Sequence, residues 1–361
     1  MKLAGWSLDF YRLAYRRPVT WAYAAESSSD YALLKLTADD GAVGIAEGVV
    51  KPARTGFSPR SLAATLEDVM LPRLKDIDLG DAAAVQKAFG WVEGNLSARA
   101  LIDNACWSMR AAAAGKPLWQ AWGGKPEIEL LWIVTRQAPA LMAAEAAQVC
   151  RKYGLRHLKL KGGQGRDTDL RVIAETRAAV GPKIEFSMDA NRHYPQEGIA
   201  DYIKAIADAG VTVVEDPCEM AADRRFEKLQ GESSVPLLVD FPCASKADAA
   251  LFLDRGARAL MIKPGRSGLS ESREIDALCA GSGASVSLGM YYESALGALL
   301  ALQGAAGLAS RLILPPEAFF PMLTEQVTKH LPAINDGKMK FPQEADLERL
   351  VDWKAVKRFA L

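Results

Sequence analysis

Between about residue 128 and residue 289, short apolar runs alternate with amphipathic helices about every 25 residues, and this rhythm restricts the chain more than any other feature. The runs are ELLWIVT (129–135), RHLKLK (156–161), IEFSMD (184–189), VTVVE (211–215), PLLVD (236–240), ALMIK (259–263) and ASVSLG (284–289). Helical segments such as DLRVIAETRAAVG, GIADYIKAIADAG and KADAALFLDRG lie between them, most of them closed by a glycine. Repeated strand–helix units with right-handed crossovers build a parallel sheet, and seven or eight of them close most economically into a barrel. A doubly wound open sheet would want a G-x-G-x-x-G turn after a strand, and none occurs. The glycine-rich KGGQG after the second run suits either a phosphate cradle or a plain loop.

Five consecutive runs end in charge: Lys161, Asp189, Glu215, Asp240 and Lys263. In a barrel the C-terminal strand ends share one mouth, where such folds place their chemistry. Strand alternation turns Ile184, Phe186 and Met188 toward the helices and Glu185, Ser187 and Asp189 inward. The same parity puts His157, Lys159 and Lys161 on one face and Leu158 and Leu160 on the other, which also suits a solvated edge strand.

Three carboxylates converging from adjacent strands repel one another unless protons or a cation intervene. Asp189, Glu215 and Asp240 offer oxygen only, which favours Mg²⁺ or Mn²⁺ over zinc. Asn191, two residues further on, is placed to orient a ligand or a substrate oxygen. An ammonium beside a dication and a second ammonium loses its proton more readily. Lys161 then serves as a base, with Lys159 one pleat deeper depressing its pKa. With Lys263 on the other side, the set suits removal of the proton α to a metal-bound carboxylate, the metal holding the enediolate. Taken singly, each acid is explained equally well as a helix cap or a surface ion pair.

The first third has another character. YALLKLTADDGAVGIAEGVV reads as a hairpin, and residues 61–114 show helical spacing closed by Gly115, so an α+β unit precedes the barrel. The 44 basic and 44 acidic residues cancel, which removes any general attraction for nucleic acid or an anionic membrane and points to a small-molecule ligand as partner. No run reaches the ~20 apolar residues of a membrane span, and the start lacks a leader pattern, so a cytoplasmic setting is expected. Five cysteines without C-x-x-C form neither a disulfide framework nor a zinc site.

The ordered motifs KLK (Lys159, Lys161), DAN (Asp189, Asn191), EDP (215–217), Asp240 and IKPGRSG (Lys263) resemble the enolase superfamily, in its muconate lactonizing enzyme subgroup. DNACWSMRAAAAGKPLWQAWGG and INDGKMKFP support the resemblance. It implies a modified TIM barrel, (β/α)7β, over residues 126–322, an α+β capping domain over 1–125, and a segment 323–361 returning to the cap. It further implies Asp189, Glu215 and Asp240 as Mg²⁺ ligands, with Lys161 and Lys263 as the acid/base pair. Glu293 in YYESALG resembles the strand-seven "ES" element, and Glu317 in PPEAFFP an element that helps orient substrate. Related enzymes are commonly symmetric, so a homo-oligomer is expected.

Phe241 and Pro242 depart from the acid and serine common after the strand-five aspartate; the D-x-D of dipeptide-acting relatives and a histidine–aspartate dyad are absent. Specificity is expected from the cap stretches 16–27 and 49–61. There Lys51, Arg54 or Arg17 would meet a second substrate anion, and Trp21, Tyr23 and Phe57 would wall an apolar portion, the alternative being solvated loop residues. The leading expectation is a racemase or epimerase of an amino acid derivative or similar acid. Muconate-type cycloisomerisation or elimination would use the same residues. A Schiff-base aldolase on Lys161 or Lys263 and a non-catalytic binding protein are the readings from other classes.

Overall fold

The computed structural model describes residues 1–22, 24–92 and 94–361. Its first unit is a three-stranded antiparallel sheet of β1 (Leu3–Thr20), β2 (Ala25–Ala38) and β3 (Val43–Val50). The hairpin of the sequence reading is β2–β3. The long β1 is not in that reading, because Trp6, Leu8 and Phe10 occupy the face opposite Tyr11, Leu13 and Tyr15 and blur the alternation. Most of 16–27, expected as a loop, is the end of β1 and the start of β2, while 49–61 carries short helices at Pro52–Thr55 and from Pro59.

Alternation along β2 sends Tyr31 and Leu33 into the barrel-side core and Ala32, Leu34 and Leu36 under the cap helices. Helix Leu96–Ala113 lies across the sheet so closely that a Cβ on Gly44 would come 2.1 Å from the Ala105 carbonyl oxygen; only glycine allows that approach.

Eight parallel strands form the second unit: Leu131–Val134, His157–Lys161, Glu185–Asp189, Val211–Glu215, Leu237–Val239, Ala259–Ile262, Ser285–Leu288 and Glu317–Ala318. They neighbour one another in chain order, with the eighth beside the first. A parallel bridge between Val286 and Leu312 brings the segment before the eighth strand against the seventh and nearly closes the barrel. The eighth strand, too short to read from sequence, has only two residues. Phe186, fully buried among the strands and surrounding helices, illustrates the packing: truncation to alanine at such a site costs roughly 3–5 kcal/mol.

The first apolar run splits at Leu130. Glu127–Glu129 pairs instead with Lys338–Lys340, and that strand with Ile334–Asn335, so the start of the expected barrel segment belongs to a small sheet made with the C-terminal tail. The tail then returns to the cap, where Arg12 N–H bonds to the Phe359 carbonyl at 3.0 Å and Leu361 N–H to that of Phe10 at 3.0 Å. Cap and barrel also meet where helix Pro264–Ser282 kinks at Gly268 (φ 87°): Ser270 N–H donates to Asp103 at 2.8 Å and Leu269 N–H to Asn104 at 2.9 Å.

The KGGQG loop is no phosphate cradle. Its Gly163 and Gln164 N–H groups donate to the Asp169 carboxylate at 2.8 and 3.2 Å, and Gly165 N–H donates to the Tyr194 hydroxyl at 3.2 Å, so its donors are already committed. Among the described residues no helix is long and apolar enough to cross a membrane.

Candidate active site

Parallel register places Lys161 beside Asp189 and Asp189 beside Glu215, while Asp240 and Lys263 each stand one residue past their strands. All five side chains are buried at one mouth. RHLKLK is therefore an interior parallel strand, not a solvated edge. Glu185, at the opposite end of its strand, is exposed, and His157 lies beside it, 3.6 Å away, outside the mouth.

Lys161 Nζ donates to Asp189 Oδ2 at 2.5 Å and to Asn191 Oδ1 at 3.3 Å. Asn191 donates through its own N–H and side-chain amide to Asp189, at 2.8 and 3.1 Å. Lys159 Nζ lies deeper, 2.6 Å from Glu317, 2.7 Å from Glu215 Oε2 and 3.3 Å from Asp189. On the far side Lys263 Nζ donates to Asp240 Oδ2 at 2.5 Å and sits 5.1 Å from the centre of the Tyr291 ring.

These contacts differ from the expected convergence. Among the described residues no three acid, histidine or cysteine side chains close on one point. Like charges separate, and each carboxylate takes the nearest ammonium. The acids still suit a hard dication: the donors are oxygen, and buried Glu215 Oε2, although 2.7 Å from the Lys159 ammonium, accepts no hydrogen bond.

Burial depresses the Lys161 pKa and Lys159 depresses it further, with Asp189 opposing. Burial alone would depress Lys159 too, but Glu215, Glu317 and Asp189 together raise it well above the usual range. Glu215 is pushed well up by burial and by Asp189, against the pull of Lys159.

Arg266 is a site residue absent from the sequence reading. Its guanidinium is buried and donates to Asp240 Oδ1 at 3.1 Å, to the Asp240 carbonyl at 3.0 Å and to the Cys243 carbonyl at 2.6 Å. Its position three residues after Lys263 on a helix is the signal that points to it. Asp216 is a second such residue. It is held at φ 37° and accepts the N–H groups of Asp240 and Phe241 at 3.1 and 2.9 Å, fixing the loop behind the fifth strand.

The cavity is narrow, about 40 Å³. Its walls include Lys159, Lys161, Asp189, Asn191, Asp240, Lys263 and Glu317, with Tyr291 and Tyr292 at the side and Trp21, Lys51 and Arg54 from the cap. Tyr292 adopts φ 75°, and its carbonyl accepts the Tyr31 hydroxyl at 2.9 Å. Glu293 is buried beside the wall rather than in it, accepting Tyr291 N–H at 2.6 Å; burial raises its pKa to about 8. Arg17 pairs with Glu145, Phe57 packs under the cap helices, and Tyr23 lies outside the described residues. A larger cavity of about 290 Å³ on the barrel exterior, lined by Ile199, Cys218, Met220 and Phe226, contains none of the strand-end lysines and acids.

A nearly closed parallel barrel with acids and lysines buried at its mouth under an antiparallel cap has the architecture of a barrel enzyme. The chain belongs to the enolase superfamily, in its mandelate racemase and muconate lactonizing enzyme family. Residues 141–345 match the enolase C-terminal domain-like family, and residues 10–123 match the mandelate racemase / muconate lactonizing enzyme N-terminal domain. The chain is 31% identical to an o-succinylbenzoate synthase of Geobacillus stearothermophilus over 79% of its length and 76% of that protein. It is 28% identical to the L-Ala-D/L-Glu epimerase of Bacillus subtilis over 81% of its length and 80% of that protein. Its fold superposes on the muconate lactonizing enzyme of Pseudomonas fluorescens solved with muconolactone, with a TM-score of 0.92 at 21% identity, covering 100% of this chain and 99% of that one. It is thereby a metal-dependent enzyme of the isomerase kind, with lyase chemistry open to the same scaffold.

Proposed function

We propose that this enzyme removes the proton α to a substrate carboxylate and returns one to either face, as a racemase or epimerase of an amino acid derivative or similar acid. The observation that carries the reading is the placement of Lys161 and Lys263 in one narrow cavity, on the second and sixth strands, each held by a different acid. Asp189, Glu215 and Asp240 would hold Mg²⁺, with Mn²⁺ as a substitute. When bound, the dication draws electron density from the substrate carboxylate and makes the neighbouring C–H bond more acidic.

Lys161, as the free amine, takes the proton from one face, and Lys263 delivers one from the other; the reverse reaction exchanges their roles. Asn191 and Asp189 orient Lys161, while Asp240 and Arg266 orient Lys263. Lys159 stays protonated among Glu215, Glu317 and Asp189 and contributes positive charge beneath the substrate carboxylate. The free cysteines fit a reducing, cytoplasmic setting.

The test is incubation of N-acyl amino acids, sugar acids and muconates with enzyme and Mg²⁺ in deuterated water. Deuterium at the α-carbon together with loss of optical activity is the expected result. Exchange with lactone formation or elimination would instead mark a cycloisomerase or a lyase, and no exchange with any acid would refute the proton-abstraction chemistry.

A further inference from the structure

We propose that Asn104, on the cap helix Leu96–Ala113, is a positioning residue for Lys263, so that the cap sets the aim of one of the two amines and leaves the other to the barrel. The proposal rests on the α-proton chemistry above and adds to it a residue outside the barrel that acts on one face of the substrate.

Lys263 stands at the junction between the sixth strand and helix Pro264–Ser282. That helix is not continuous: Gly268, at φ 87° and ψ 166°, cuts off a single turn over 264–267 from the rest. Within the turn the Lys263 carbonyl accepts the N–H groups of Arg266 and Ser267 at 2.8 and 3.0 Å. A break in a helix leaves carbonyls before it and N–H groups after it in need of partners. Asn104 supplies one of each: its side-chain amide donates to the Pro264 carbonyl at 2.9 Å, and its side-chain oxygen accepts Leu269 N–H at 2.9 Å. One side chain therefore spans the turn from its first residue to the residue beyond the break. Asparagine is a poor former of helix interiors, and these two bonds account for a buried one at this place.

Three constraints then act on Lys263. Its ammonium is held by Asp240, its stem passes so near Gly289 that a Cβ there would lie 2.6 Å from Lys263 Cε, and its backbone is set by the clamped turn. The same turn carries Arg266, which donates to Asp240 Oδ1 at 3.1 Å. A shift of the turn moves the amine and the group that steadies its partner together. Lys161 is held differently, by Asp189 and Asn191 and through the Gly162 carbonyl, which accepts Arg136 Nε at 2.7 Å; all of these belong to the barrel. Trp107, further along the cap helix, donates to Ser270 Oγ at 2.8 Å, past the break, and so grips the helix without touching the turn.

The test removes the clamp in Asn104→Leu, which fills the space, and in Asn104→Ala, which favours the helix, so that loss of folding in one does not decide the matter. Trp107→Phe removes the cap bond past the break. The proteins, in Mg²⁺, are methylated with formaldehyde and cyanoborohydride, and labelling of Lys161 and Lys263 is read separately by peptide mass spectrometry. The Asn104 variants should raise Lys263 labelling about threefold or more while Lys161 stays within about twofold of wild type, as for a local opening. Trp107→Phe should change neither. An equal rise at both lysines, no rise at Lys263, or the same rise in Trp107→Phe would overturn the assignment. In the solvent-exchange screen, deuteration of the enantiomer that depends on Lys263 should fall about 10²-fold in the Asn104 variants and that of the other enantiomer should hold, the loss expected of an amine displaced by ~1 Å. Selective labelling without exchange of any acid leaves the positioning and removes the α-proton chemistry; exchange that falls alike on both faces does the reverse.

Discussion

Lys159 Nζ and Glu317 Oε1 lie 2.6 Å apart and join the second barrel strand to the eighth, with both side chains 3% exposed. The same ammonium reaches Glu215 and Asp189, so one cation ties its own strand to three others beneath the cavity. Lys159→Met leaves three buried carboxylates without that counter-charge and should cost about 3–5 kcal/mol of stability. Glu317→Gln leaves the ammonium with two acids and should cost about 1–3 kcal/mol. Urea denaturation of both variants checks the order; a larger loss in Glu317→Gln would contradict it.

The opposed lysines predict a stereochemical split. Lys161→Ala and Lys263→Ala should each lower racemisation by at least about 10³-fold, since the proton must be taken on one face and returned on the other. Each variant should keep slow α-deuteration of one enantiomer only, opposite in the two. Proton NMR of the separate enantiomers in deuterated water reads this directly.

Metal removal should abolish turnover and lower the unfolding temperature. A ligand present at 100 times its Kd stabilises the state it binds by about 2.7 kcal/mol. Thermal unfolding with Mg²⁺ and with EDTA should differ in the wild type, and the difference should vanish in Asp189→Asn, Glu215→Gln and Asp240→Asn. A full Mg²⁺ shift in those variants would place the ion elsewhere.

Glu293 supplies a pH dependence. Burial raises its pKa from 4.5 to about 8, so the folded state binds its proton more tightly than the unfolded chain. That contribution is fully present below the unfolded value and is lost as pH rises toward 8, up to about 5 kcal/mol for this group taken alone. Glu293→Gln cannot lose a proton there. Its stability should therefore fall less than that of the wild type between pH 5 and 8, as followed by denaturant midpoints at each pH.

Much of the barrel is readable locally, because strand alternation and helical spacing are properties of neighbouring residues. Leu158 and Leu160 against Lys159 and Lys161 announce a strand with one polar face, while its pairing on both sides, which makes it interior and sets Lys161 beside Asp189, is seen only in the structure. β1 is obscured where both of its faces are apolar, and Glu317–Ala318 is too short to show any period. Leu130 ends one pairing and begins another because the tail, some 200 residues further on, supplies the partner of Glu127–Glu129.

The order of the strand-end charges, their inward parity and their all-oxygen donor chemistry were determined by the sequence itself, since each depends on spacing along one strand. Which ammonium each acid holds was decided only by the tertiary structure, as were the burial of Lys51, the reach of Arg266 to Asp240, and the passage of Lys159 across to Glu317. These depend on segments far apart in the chain meeting at the mouth, and a buried charge takes its partner from whatever packing brings within reach.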